Sequence, residues 1–291
     1  MKGKYIEMGI LTYYMDIIPI FLRYARYRYV AYRIFLRLRM GKKKRDELLR
    51  ASGLTEIDFL PERPYCINGI SALPRKGTDD FYMFYIPRER ELLPHLIMEK
   101  GETFVDVGAN VGYYSLKIAK DYSPKGVTII AIEAHPGNYE ALSKNIELNN
   151  FKCITAIKKA VSDHKGIVTL YDRVDRRNRI RSEMYSLSNS FFHESNVARL
   201  GRGSPRIECD TLDSILGEQR IDVMKIDIEG AEVSALEGAT RILKKLRKII
   251  VEVHGANFYK VMQILDETHD FKCETIETRL MKYIIGSKFS A

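Results

Sequence analysis

What this chain lacks narrows its identity first. No G-x-G-x-x-G run occurs anywhere in its 291 residues, so the phosphate-cradling turn of dinucleotide-binding folds is missing. Its four cysteines, Cys66, Cys153, Cys209 and Cys273, lie far apart with no C-x-x-C pair. That spacing argues against a zinc centre and against a disulfide scaffold, and it reads as reduced thiols in a cytoplasmic protein. No apolar run reaches the roughly 20 residues of a membrane-spanning helix. Asp16 and Pro19 break the longest candidate, and Met1–Ile10 has no signal-peptide core. What remains is a globular composition, 45% hydrophobic and 29% charged, with a net charge of +9.

That charge sits in one place. Residues 1–50 hold 13 Lys and Arg against 4 Asp and Glu, which accounts for +9, so the rest of the chain is balanced. Arg23, Arg26, Arg33 and Arg37 share one helical face, beside Phe21, Ala25, Leu36 and several tyrosines. Three readings compete for this basic, amphipathic extension. It packs on the main domain or on a second subunit of a homo-oligomer. Alternatively, residues 11–45 lie on anionic lipid at the inner membrane surface, with Lys42, Lys43, Lys44 and Arg45 as a polybasic flank. In the third reading the interleaved Tyr and Arg stack on nucleic acid.

The remainder of the chain is organised around Thr103–Lys120. Thr103–Val107 reads as a buried strand, and beyond Gly112 the residues Tyr113, Leu116, Lys117 and Lys120 recur at helical spacing. In open α/β sheets the turn between such a strand and its helix is a ligand site. Here it reads D-V-G-A-N-V-G, with Asp106 at its head. A carboxylate there repels a pyrophosphate but suits cationic groups. S-adenosylmethionine fits, with its ammonium and sulfonium and no phosphate.

Downstream the strand–helix rhythm continues. Expected strands are Val127–Glu133, Cys153–Val161, Ile167–Tyr171, Ile221–Ile226 and Ile249–Val253, with a closing pair at Phe271–Glu277 and Lys282–Ile285. Expected helices are Pro136–Asn149, with Leu142, Ile146 and Leu148 among its apolar positions, then Ala231–Leu246 and Asn257–Thr268. Residues 51–100, broken by five prolines, form a connecting layer, with Asp80–Ile86 read as a strand and Glu91–Met98 as a short helix. The fold class is therefore α/β, a mainly parallel sheet with helices on both faces, over residues 101–291.

Charged residues gather at the expected strand ends. Glu133 follows Asp106 by 27 residues, where a carboxylate can accept both ribose hydroxyls. Small residues at Ala160, Val161 and Ser162 leave room for an adenine ring. Lys225, Asp227 and Glu229 share one side of a strand that should be buried on both faces, and Glu252 and His254 close the next strand. Such charges are paired or functional.

In these segments the chain resembles the FkbM family of S-adenosylmethionine-dependent methyltransferases. The likeness rests on D-V-G-A-N-V-G-Y-Y-S at Asp106–Ser115 and on I-E-A-H-P-G-N-Y-E-A-L-S-K-N-I-E-L-N at Ile132–Asn149. It continues through A-V-S-D at Ala160–Asp163, T-L-D-S-I-L at Thr211–Leu216, K-I-D-I-E-G-A-E at Lys225–Glu232 and V-E-V-H at Val251–His254. Ala134-His135-Pro136 departs from the pattern, since the family more often has proline directly after the strand-end glutamate. The resemblance implies a class I methyltransferase fold, a seven-stranded Rossmann-like sheet with an antiparallel last strand. It assigns Asp106, Gly108, Ala109, Asn110, Gly112 and Asp227 to the methionine end of the cofactor. Glu133 falls to the ribose, and Ala134, Ala160, Val161 and Ser162 to the adenine.

The implied chemistry is methyl transfer to a hydroxyl oxygen of a sugar, glycolipid or other glycan or secondary-metabolite acceptor. An alcohol needs a positioned base. His254 is the first candidate on its ordinary pKa, followed by Asp227, Glu229 and Glu252. The spacing of Asp227 and Glu252 is no metal signature, and no metal is expected. Residues 172–206, with 8 arginines against 4 acids, read as a substrate lid for an anionic, phosphate-linked glycan or lipid. The rival reading is an RNA methyltransferase that uses the basic arm. The N-P-P-Y turn of amino-directed enzymes is replaced here by D-I-E-G, which leaves ribose and other hydroxyls open.

Overall fold

The computed structural model describes residues 63–75, 78, 80–85, 90–174, 180–186, 205–278 and 281–288. The chain divides into two compact units, Met1–Arg63 with Pro74–Gly77 and Pro64–Leu73 with Thr78–Ala291. The basic arm over 1–50 lies outside the described residues. So does much of the 172–206 insertion, including Arg176, Arg177 and Arg179.

The second unit opens with the hairpin β1 (Tyr65–Ile67) and β2 (Ile70–Ala72), then helix α1 (Asp80–Tyr85) and a 3-10 turn at Arg90–His95. Strand β3 (Thr103–Val107), helix α2 (Tyr113–Tyr122), β4 (Thr128–Glu133), α3 (Pro136–Asn149) and β5 (Ile154–Lys158) follow. Next come β6 (Ala160–Val161), β7 (Gly166–Thr169), β8 (Tyr171–Val174), β9 (Ile180–Ser186), β10 (Arg206–Asp210) and α4 (Leu212–Leu216). The last third holds β11 (Val223–Ile226), α5 (Glu232–Glu237), α6 (Thr240–Lys245), β12 (Lys248–Glu252), α7 (Phe258–Gln263), a π turn (Ile264–Thr268), β13 (Lys272–Glu277) and β14 (Lys282–Ser287).

Seven strands form one sheet in the order β13-β14-β12-β11-β3-β4-β5. Strands β5, β4, β3, β11 and β12 run parallel, while β14 is antiparallel to both β12 and β13. The interior strands are near-continuous runs of branched aliphatics because helices cover both faces. Val105, Val107, Ile132, Met224, Ile226, Ile249 and Val251 are all buried. The chain leaves β3 in one direction to β4 and returns on its other side to β11. Their carboxyl ends therefore flank the point where the strand order reverses, which is where open α/β sheets bind their ligands.

Several segments differ from their sequence reading. Asp80–Tyr85 is a helix, not a strand. The Thr78 hydroxyl accepts from the Asp80 amide at 3.4 Å, and buried Phe84 meets Tyr113 edge-on at 6.0 Å. Aromatic packing on α2 decided the conformation, overriding local β propensity. Cys153–Val161 is not one strand. The Lys159 amide donates to the Glu133 carbonyl, and β6 then joins a separate three-stranded sheet with β10 and β7. Ala231–Leu246 is two helices parted at Gly238. A Cβ at Gly238 would stand 2.3 Å from the Ser162 carbonyl oxygen, so the break lets the backbone pass close to β6. On α3 the inward face carries Asn138, Ala141, Leu142 and Asn145, and Leu148 is turned out.

Candidate active site

The turn after β3 is shaped by its neighbour β11. Gly108 has φ +81, and a Cβ there would lie 1.9 Å from the Asp227 carbonyl oxygen, so only glycine fits. Asn110 takes a left-handed φ of 51, which Asn tolerates better than most residues, and Gly112 caps α2 at φ 96. Buried Asp106 accepts from the Ser115 hydroxyl at 2.6 Å and the Ser115 amide at 3.1 Å, both through Oδ2. Its Oδ1, like the Oδ1 of Asn110, is buried with no hydrogen-bond partner among the described residues. Burial pushes the Asp106 carboxyl above its ordinary range, against the pull of Lys225 and Ser115.

Glu133 closes the second strand as the sequence placed it, and it also builds the turn. Its Oε2 accepts from the Asn110 amide at 2.7 Å and its Oε1 from the His135 amide at 2.8 Å. Ala134 packs against the small buried cluster that includes Ala160. Ala160 and Val161 are buried in β6, and the Ser162 hydroxyl donates to Asp163 at 3.1 Å. The structure thus places Asp106, Gly108, Ala109, Asn110 and Gly112 at the end of β3 and its turn, with Glu133 bonded to that turn from the end of β4 and Ala134, Ala160, Val161 and Ser162 beyond it. The Gly108 contact makes Asp227 the neighbouring wall.

The second cluster lies beyond that wall. Parallel pairing of Ile226 with Val251 sets Asp227 beside Glu252 and His254. Lys225, buried at 1% exposure, donates to Asp227 Oδ2 at 3.0 Å and lies 4.7 Å from the Tyr114 ring centroid. His254 Nδ1 meets Glu232 Oε1 at 2.8 Å, while Nε2 faces Glu252 Oε1 at 3.4 Å and Glu229 Oε2 at 3.5 Å. Glu229 is held at φ 48, an uncommon conformation for its type that concentrates at functional sites.

The electrostatics reorder the candidate bases. Burial opposes an imidazolium at His254. Hydrogen bonds to Glu232 and Glu252, with the charges of Glu229 and Asp227, outweigh that and push it up to about 11. That shift favours the imidazolium, which turns attention from His254 to the carboxyl groups beside it as proton acceptors. Glu252 is pushed up to about 7 by burial and by the charge of Asp227. Burial also acts to raise Asp227, but the Lys225 ammonium and His254 prevail and hold it below its ordinary range.

Two contributors escaped the sequence reading. Glu232, wholly buried, accepts from the Gly230 amide at 2.8 Å and from Asn257 Nδ2 at 2.7 Å, which locks the His254 ring. Glu232 was visible inside K-I-D-I-E-G-A-E without a role. Asn257 carried no signal beyond standing three residues after His254.

The sheet order, the antiparallel β14 and a glycine-bearing turn at the switch point define a class I methyltransferase fold. The chain belongs to the FkbM methyltransferase family, whose domain, described as "Methyltransferase FkbM domain", matches residues 106–273. It is 27% identical over 143 residues to "Methyltransferase 1" of Beauveria bassiana (strain ARSEF 2860), covering 46% of this chain and 57% of that one. It thus spans little more than half of that relative's length. The hexuronic acid methyltransferase AglP of Haloferax volcanii is 23% identical over 215 residues, 69% of this chain and 77% of its own. The crystal structure of Methyltransferase FkbM from Methylobacillus flagellatus KT aligns at a TM-score of 0.43 with 17% identity, over 66% of this chain and 45% of that one.

Proposed function

We propose that the chain transfers a methyl group from S-adenosylmethionine to a hydroxyl oxygen of a sugar-bearing acceptor. The observation that carries this reading is the shared wall at Asp227. Its carbonyl packs on Gly108 of the cofactor turn, and its carboxylate belongs to the acid–imidazole cluster. The turn fits the cofactor the family implies, since the buried acceptor atoms Asp106 Oδ1 and Asn110 Oδ1 suit an ammonium donor. Glu133 suits the ribose hydroxyls. Bound there, S-adenosylmethionine supplies a methyl that departs with its bonding pair left on sulfur.

The chain's own work is to seat the acceptor in line with that methyl and to receive its proton. Glu229 and Glu252 stand at the cluster as carboxylates able to take it. Lys225 and the His254 imidazolium offset the negative charge of the cluster. The sugar class draws on the likeness to a hexuronic acid methyltransferase.

Titration of the purified chain with S-adenosylhomocysteine tests the reading. Micromolar binding is expected, weakened about 10- to 100-fold in Glu133→Gln, as loss of a charged hydrogen-bond acceptor predicts. No binding by the intact chain would remove the basis for methyl transfer.

A further inference from the structure

We propose that Asp227, Glu252 and His254 form a site for one divalent cation of the first transition row, with Mn²⁺ as its paramagnetic probe. Nothing in the spacing suggests it, since Asp227 precedes Glu252 by 25 residues. The parallel pairing of β11 with β12 brings them together, and one ligand atom from each falls within 4.8 Å of the others. Donors bound at about 2.0–2.2 Å from an ion stand roughly 3–4 Å apart. His254 Nε2 and Glu252 Oε1, at 3.4 Å, already have that separation. The Asp227 oxygen lies within 4.8 Å of both.

The surroundings of His254 point the same way by a separate route. Metal-binding imidazoles characteristically donate the far ring N–H to a carboxylate, which fixes the tautomer and aims the other nitrogen at the ion. Glu232 stands in that position against Nδ1, wholly buried and tied to Gly230 and Asn257. Nothing about solvation or surface charge calls for a carboxylate at 0% exposure behind a histidine.

Charge agrees with this assignment. Four carboxyl groups, Asp227, Glu229, Glu232 and Glu252, surround Lys225 and His254. Lys225 engages Asp227 through Oδ2, and a carboxylate binds at two oxygens. A divalent ion would bring two positive charges among these carboxyl groups. One imidazole with two carboxylates and no thiolate favours Mn²⁺ over Mg²⁺ or Ca²⁺.

For the reaction, this inference rests on the hydroxyl-methylation reading. A cation there polarises the acceptor oxygen and eases loss of its proton. Glu229, which is not among the three donors, then receives it.

The test is a titration of Mn²⁺ into the purified 291-residue chain, followed by the electron paramagnetic resonance of the free ion. The free-ion signal should be suppressed up to one ion per chain. Glu232→Gln should weaken binding about 10- to 100-fold as an outer partner. Glu252→Gln and His254→Asn should lose at least as much, and the exposed-acid control Glu218→Gln should match the parent. The same samples are titrated with S-adenosylhomocysteine, which also reports folding. Retained S-adenosylhomocysteine binding with an unsuppressed Mn²⁺ signal overturns the cation site and leaves the methyltransferase reading standing. Mn²⁺ binding equal in all variants overturns it too, as adventitious surface binding. Site-dependent Mn²⁺ binding without S-adenosylhomocysteine binding supports the cation site and sinks the proposed function.

Discussion

Gly108 and Gly101 both take a positive φ, +81 and +73, but only Gly108 meets another backbone. Alanine at either position carries the left-handed penalty, about 1–2 kcal/mol. At Gly108 the new Cβ would also press on the Asp227 carbonyl, adding roughly 1–3 kcal/mol of overpacking strain. Gly108→Ala should therefore unfold at lower denaturant than Gly101→Ala and lose S-adenosylhomocysteine affinity. Equal midpoints for the two variants would deny the close approach. Most of the candidate site residues were legible singly in the sequence, because carboxylates at the ends of buried strands are conspicuous. The protonation of His254 was not legible. Its ordinary pKa marks it as a base, and the four carboxyl groups converging from β11, α5 and β12 push that pKa up.

Among the elements, α3 illustrates why a hydrophobic pattern can point the wrong way. Leu148 fits the apolar stripe yet faces outward, whereas Asn145 and Asn149 hold the β1–β2 hairpin. Asn149 Oδ1 accepts from the Ser71 amide at 2.8 Å and its Nδ2 donates to the Ser71 carbonyl at 2.7 Å. Asn145 Oδ1 accepts from the Leu73 amide at 2.8 Å, and its Nδ2 donates to the Val111 carbonyl at 2.9 Å. An isolated two-stranded hairpin is marginal in water, so these amides replace the missing third strand. Asn149→Leu should cost about 1–3 kcal/mol by stranding two half-buried backbone groups. Amide exchange at Ser71 should quicken while the amides of β3 keep their protection. Unchanged exchange at Ser71 would show that the hairpin does not depend on the clamp.

For the molecule as a whole, stability should fall toward acid partly through His269, a buried residue just after the π turn. Burial, then the charges of Lys288 and Lys244, hold its imidazole below the ordinary value of 6.5. The folded state thus binds that proton more weakly than the unfolded chain does. Its contribution is complete above pH 6.5 and is lost as pH falls through the depressed folded value. Denaturant unfolding from pH 8 to pH 5 should show His269→Gln with a shallower decline than the parent. Parallel declines would remove His269 from the acid response.

The sequence by itself determined the parallel core, because strands buried on both faces must be continuous apolar runs. It determined the turn after β3, because a strand, a glycine-bearing turn and a carboxylate carry their chemistry locally. Tertiary structure decided what depends on neighbours distant along the chain. Asp80–Tyr85 became a helix through packing on α2, and the strand expected to reach Val161 split where Lys159 turned to Glu133. The gathering of Asp227, Glu252 and His254, with Glu232 behind them, required two strands to pair in parallel. Charge interactions of that kind depend on separation in space, which spacing along a sequence does not encode.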